Sequence, residues 1–119
     1  MNKFFIKNNI TIKNAYIKFS KIGMNTLIVT NNKNDYLGTL SSGDVRRAIL
    51  KTKDLNTKIT SIYNKKSFFL FKGEYDDNDV KKIFISKKFE LIPIINKSKK
   101  IVKILKLIDY LYNKKANKI

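Results

Sequence analysis

TLIVTNNKNDYLGTLSSGDVRRAILK, residues 26–51, holds four elements in a fixed order. Thr26–Thr30 is a β-branched apolar run of the kind that favours a strand. Asn31–Asp35 (NNKND) is turn chemistry throughout. Tyr36–Leu40 returns as a second strand. Ser42 then offers a helix N-cap, and Asp44–Lys51 carries Val45, Ala48 and Ile49 on one helical face. The order returns in residues 91–113, LIPIINKSKKIVKILKLIDYLYN. Leu91–Ile95 and Ile101–Leu105 are the strands, Asn96–Lys100 the turn and Leu107–Asn113 the helix. A gapless offset of 65 places Asn31 on Asn96, Leu40 on Leu105 and Asp44 on Asp109.

The register holds upstream. Phe4-Phe5-Ile6 falls on Phe69-Leu70-Phe71, Ala15 on Val80 and Phe19 on Phe84. Ile12, Ala15, Tyr16, Phe19 and Ile22 repeat at helical spacing, as do Val80, Ile83 and Phe84. Each copy is therefore β-α-β-β-α, in an α/β (α+β) class. Residues 1–55 form the first repeat and 56–119 the second. Lys51–Lys58 is a polar connection, and Ile59–Tyr63 one short helical turn. Neither copy alone buries much surface, so the two are expected to pack as one pseudo-twofold module. Pro93 marks a strand start or an edge strand.

Composition removes several classes of function. The chain has no cysteine and no histidine. That excludes disulfides and thiolate metal sites, and removes the commonest general base. No apolar run reaches the ~18 residues of a membrane span, and no signal-peptide pattern is present. A soluble cytoplasmic protein is expected. The net charge of +17 invites a nucleic-acid reading. Lysine, isoleucine and asparagine, however, number 24, 18 and 14 of the 119 residues, a bias expected of an AT-rich genome. The only arginines are Arg46 and Arg47. Arginine is the usual reader of phosphate and guanine, so nucleic acid is not the expected partner. With no His, no Cys and no paired carboxylates at recognisable spacing, the chain offers no constellation for acid–base or nucleophilic catalysis.

Gly38–Asp44 (GTLSSGD) is the stretch suited to a ligand. Gly38 permits close approach of a backbone or a ligand. Ser41 and Ser42 supply hydroxyls just before a helix N-terminus, which favours anions. Asp44 offers two acceptor oxygens, suited to the vicinal diol of a ribose, at roughly 1.5–3 kcal/mol per charge-assisted bond. The same residues equally describe a helix N-cap with an acidic first turn. Glu74, Asp76, Asp77 and Asp79 are read as acids offsetting a helix dipole rather than as a cation site, and no metal is expected.

A strand ending in Gly-x-x-Ser/Thr-x-x-Asp, within a β-α-β-β-α unit that occurs twice, resembles a tandem CBS-domain pair, or Bateman module. The resemblance runs from about Phe4 to about Lys114. GTLSSGDVRRAIL is similar to the pairs attached to sugar-nucleotide nucleotidyltransferases and sugar-phosphate isomerases. The resemblance implies a regulatory module with two clefts for adenosine-containing ligands such as AMP, ADP or ATP, and pairs that often form homodimers. It implies that Asp44 holds ribose hydroxyls and that Ser41 contacts ribose or phosphate. Thr39 and Gly43 would line the same cleft, Asn25 and Thr26 would lie near base or phosphates, and Ser67–Phe69 would face them. Arg46 and Arg47 are either a solvated helix face or a docking surface. In the second copy Lys103 and Lys106 replace Gly38 and Ser41, and only Asp109 survives. That cleft is degenerate, unless a lysine there serves a phosphate. A ligand-free module that dimerises or positions an attached enzyme is the alternative. The lysine-rich tail Asn113–Ile119 is either a terminus or the start of a linker.

Overall fold

The computed structural model describes residues 2–116, which leaves the last three residues of the lysine-rich tail outside the description. The chain divides into two compact units, Met1–Ser67 and Phe68–Ile119.

In the first unit the elements are β1 (Phe5–Lys7), α1 (Ile12–Ile22), β2 (Thr26–Thr30), β3 (Tyr36–Ser41) and α2 (Ser42–Thr52). β2 is central, parallel to β1 and antiparallel to β3. The parallel pair needs a crossover, which α1 supplies. Thr11 caps α1 by accepting the Asn14 amide at 3.1 Å, and Gly23 ends it with φ of +69°. Of the predicted apolar stripe, Ile12, Ala15 and Phe19 are buried and pack with Ile6, Leu27, Val29, Leu40, Val45 and Ala48, and Ile22 is partly buried against them, whereas Tyr16 is exposed. Strand alternation then turns Thr26, Ile28, Thr39 and Ser41 to the opposite sheet face, since Thr26 pairs with Ser41 and Ile28 with Thr39.

The second unit repeats this plan with β4 (Leu70–Phe71), α3 (Asp77–Ser86), β5 (Leu91–Ile95), β6 (Ile101–Lys106) and α4 (Leu107–Ala116). Val80, Phe84, Ile92, Ile94 and Leu105 form its core. The duplication extends to irregularities. Both hairpin ladders shift register at equivalent places, Val29/Thr30 and Ile94/Ile95. In both turns an Asn Oδ1 accepts two amides: Asn31 from Lys33 and Asp35, Asn96 from Ser98 and Lys100. Asn34 and Lys99 share a left-handed φ, at 65° and 67°.

Three expectations are corrected. Pro93 lies in β5, the central strand, rather than at a start or edge. Leu107 N donates to Glu90 O, so bonded pairs across β5 and β6 fall at Glu90, Ile92 and Ile94. Pro93 faces Ile104 at a non-bonded position, where β6 asks nothing of its missing N–H. The helix after β3 begins at Ser42, so its N-cap is Ser41 and not Ser42. Residues 56–67, grouped with the second repeat on sequence, pack on the first unit. Ile59, in a short 3-10 turn, is fully buried in that core. Ile12 N donates to Thr57 O at 2.8 Å, and Ile59 N to Ile10 O at 3.0 Å.

Candidate functional site

The end of β3 and the first turn of α2 form one hydrogen-bonded assembly. Ser41 Oγ accepts the Asp44 amide at 3.0 Å, and Asp44 Oδ2 accepts the Ser41 amide at 3.1 Å. This reciprocal capping box fixes the Asp44 carboxylate beside the last residue of β3. Arg47 Nη2 donates to the other oxygen, Oδ1, at 2.7 Å. A carboxylate has about four lone-pair directions. Two are engaged here, which leaves capacity for two further donors, the number a vicinal diol presents.

Asn25 ties the start of β2 to the same turn. Its carbonyl accepts the Ser42 amide at 2.9 Å, and its Oδ1 accepts the Ser42 hydroxyl at 3.1 Å. Thr26, Thr39 and Ser41 follow on the sheet face turned away from the helices. Six of the predicted residues, Asn25, Thr26, Thr39, Ser41, Gly43 and Asp44, therefore gather at one end of the first sheet. Ser67 lies elsewhere: its hydroxyl pairs at 2.7 Å with the phenol of Tyr36, at the start of β3. Burial pushes that phenol above its ordinary value, and the Ser67 hydrogen bond partly offsets the rise. Phe69 belongs to the second unit, where it stands edge-on to Phe71 at 5.3 Å between ring centroids.

Gly38 takes the backbone role of the two left open for it. A Cβ there would collide with the Asn64 carbonyl. The chain crosses β3 at this point, with Thr39 N donating to Asn64 O at 3.1 Å and Asn64 N to Thr39 O at 2.8 Å. Sequence reasoning passed over Asn64, whose partner is 25 positions away with no pattern to mark it. Arg47 was legible in principle, because an acid and a base at i and i+3 face each other on a helix.

In the second unit Lys106 replaces the capping serine and has no oxygen to accept an amide. It stands 3.8 Å from Asp109 as an exposed ion pair. Lys106→Ser is expected to rebuild the cap and raise stability by about 0.5–1 kcal/mol, read as an increased urea midpoint. Of the acidic cluster, Asp76 and Asp79 form the cap of α3 and Asp77 lies in its first turn, whereas Glu74 precedes the helix. Asp76 Oδ1 accepts the Asp79 amide at 2.8 Å, and Asp79 Oδ2 accepts the Asp76 amide at 3.2 Å. No group of three His, Cys, Asp or Glu among the described residues is arranged to hold a metal ion.

Each unit also has a groove between its two helices. That of the first, about 310 Å³, is lined by Tyr16, Phe19, Ser20, Ser42, Val45 and Arg46 among others. That of the second, about 470 Å³, is lined by the residues 65 positions on: Lys81, Phe84, Ile85, Leu107, Tyr110 and Leu111. The first carries Ser20, Ser42 and Arg46, whereas the second, though Lys81 and Tyr110 also line it, is the more apolar, with Ile85 85% and Leu111 61% exposed.

No protein-family model matches the chain. A Helicobacter pylori (strain J99) protein, described only as uncharacterized, is 39% identical over 49 residues, 41% of this chain. The match spans only 15% of that relative's length. Among solved structures, a CBS domain pair/ACT domain protein from Thermotoga maritima is 16% identical with a TM-score of 0.76, over 96% of this chain and 90% of that one. CbpB in complex with c-di-AMP is 14% identical with a TM-score of 0.79, over 94% and 76%. The cytosolic domain of the Mg2+ channel MgtE in complex with ATP is 18% identical with a TM-score of 0.74, over 93% and 45%. At these identities the likeness is one of fold, and the fold is that of a tandem CBS pair. No helix among the described residues is long and apolar enough to cross a membrane.

Proposed function

We propose that the chain is a non-catalytic regulatory module that takes an adenine nucleotide, or a related nucleotide, at Asp44. One observation carries the reading. The capping box holds the Asp44 carboxylate at the polar end of a strand face, beside Thr39 and Ser41, with acceptor capacity to spare. ATP on MgtE and c-di-AMP on CbpB, two proteins of the same fold, support the ligand class. The Lys106–Asp109 ion pair, in place of a capping box, supports an empty second cleft. The GTLSSGDVRRAIL wording supports a cytoplasmic role beside a sugar-nucleotide nucleotidyltransferase or a sugar-phosphate enzyme, regulating or positioning it. The greater length of the Helicobacter relative is in keeping with a module inside a larger protein. Calorimetry of the chain with AMP, ADP, ATP and sugar nucleotides tests the reading. Saturable heat with one ligand per chain is expected, and no heat from any of them contradicts it.

A second reading, a ligand-free dimerisation module, is favoured by the apolar α3–α4 groove. Its expected result is a homodimer by light scattering whose mass is indifferent to nucleotides. Ile85→Lys with Leu111→Lys would convert it to monomer, since each lysine places a charge in a face that must lose water. A wild-type chain that is monomeric at micromolar concentration removes this reading.

A further inference from the structure

Arg47 lies on the exposed side of α2, with its side chain 70% accessible, yet it does not extend into solvent along the helix. Its guanidinium folds back over the first turn, and Nη2 reaches Asp44 Oδ1 at 2.7 Å. Gly43 lies beneath it. A Cβ at Gly43 would stand 3.3 Å from Nη1 and 3.8 Å from Nη2, tighter for Nη1 than ordinary contact. The guanidinium therefore lies over position 43, where a shift of a few tenths of an ångström by this exposed side chain would admit a methyl group.

Exposed ion pairs of this kind contribute little to stability, so the pair has no strong structural purpose. Its electrostatic consequence is larger. Asp44 alone presents a negative charge at a place read here as taking a phosphorylated ligand, and like charges repel. Arg47 neutralises that charge while leaving the carboxylate's remaining lone pairs as acceptors. A guanidinium has five N–H donors in a planar fork that matches phosphate. One of them serves Asp44 Oδ1. A phosphate on the same ribose is only a few bonds from the hydroxyls that Asp44 would accept. One charge-balanced pair would then read two neighbouring groups, the diol through Asp44 and the phosphate through Arg47.

We infer that Arg47 is the specificity-determining residue that makes this site prefer a nucleotide to the corresponding nucleoside. The inference rests on the reading of Asp44 as the ribose-binding group. Arg46, on the same helix but lining the α1–α2 groove, has no part in it.

The test is calorimetry of the full chain with AMP and with adenosine, on wild type, Arg47→Met, Arg47→Lys and Arg46→Met, each checked for an unchanged thermal melt. Wild type is expected to bind AMP at least tenfold more tightly than adenosine. Arg47→Met is expected to lose tenfold or more of the AMP affinity and to leave adenosine within twofold. Arg47→Lys, which keeps the charge without the fork, falls between, and Arg46→Met matches wild type. AMP affinity unchanged in Arg47→Met overturns the inference and leaves the Asp44 reading standing. Equal loss for both ligands also overturns it, because Arg47 would then only position Asp44. A wild-type chain that binds neither ligand overturns both.

Discussion

Asp44→Ala is expected to abolish nucleotide binding while leaving the chain folded. Two charge-assisted hydrogen bonds to a ribose diol contribute roughly 3–6 kcal/mol together, at about 1.5–3 kcal/mol each. Their loss corresponds to an affinity drop on the order of 10²–10⁴-fold. The same substitution opens the capping box, since Asp44 Oδ2 holds the Ser41 amide. Losing that half of the cap costs roughly 1 kcal/mol. Melting should therefore fall by only a few degrees. The two effects separate in one protein sample: calorimetry with AMP or ATP reads the first, and a thermal melt the second. Asp44→Asn sharpens the comparison, because the amide keeps an oxygen for the Ser41 N–H but lacks the charge and one acceptor. It should retain most of the stability and little of the binding. A variant that melts lower yet binds as wild type would leave the turn as a helix cap and nothing more.

Gly38→Ala is expected to be the most damaging single-methyl change in the first unit. The added Cβ meets the backbone carbonyl of Asn64, not the far end of a movable side chain. Relief requires parting Thr39 from Asn64, whose two mutual hydrogen bonds are 3.1 and 2.8 Å. It also disturbs Ile62 and Tyr63, which pack on the core just before the crossing. A loss of about 3 kcal/mol or more in urea unfolding is the expected size for such a backbone collision. Gly73→Ala is the matched control. Its φ is +78°, but nothing stands within 4 Å of the added carbon. It should cost only the left-handed penalty of about 1 kcal/mol. Equal losses at the two sites would show that the crossing at Asn64 contributes nothing.

The residues that declared the fold were those with strong local preferences. Thr26–Thr30 and Leu91–Ile95 are strands over those same residues, because β-branched runs bounded by Asn-rich turns leave little choice. The gapless offset of 65 was legible to the level of single turns, and Asn31 and Asn96 make the same pairs of hydrogen bonds. What sequence could not show is set by partners distant in the chain. Pro93 occupies a central strand because β6 leaves its position unbonded, which is a matter of register. Residues 56–67 join the first unit through Ile59 and Asn64, which have no counterpart in the repeat pattern. The site was legible as residue types at the end of a strand. Its present bonding was legible only in part: the i, i+3 spacing of Asp44 and Arg47 allows their bond, but that Ser41 rather than Ser42 caps the helix was not readable. Both spacings exist in the sequence, but several helix starts compete there, and only the β3 register decides among them.

Every functional assignment above depends on Asp44 and its neighbours binding a nucleotide. The most direct measurement is an amide proton–nitrogen correlation spectrum of the chain, titrated with ATP. The amides of Thr39, Ser41, Gly43 and Asp44 are expected to shift together and saturate at one equivalent, while those around Lys106 and Asp109 stay in place. Shifts that never saturate and scatter over lysine-rich surface, or a spectrum that does not move, would contradict it.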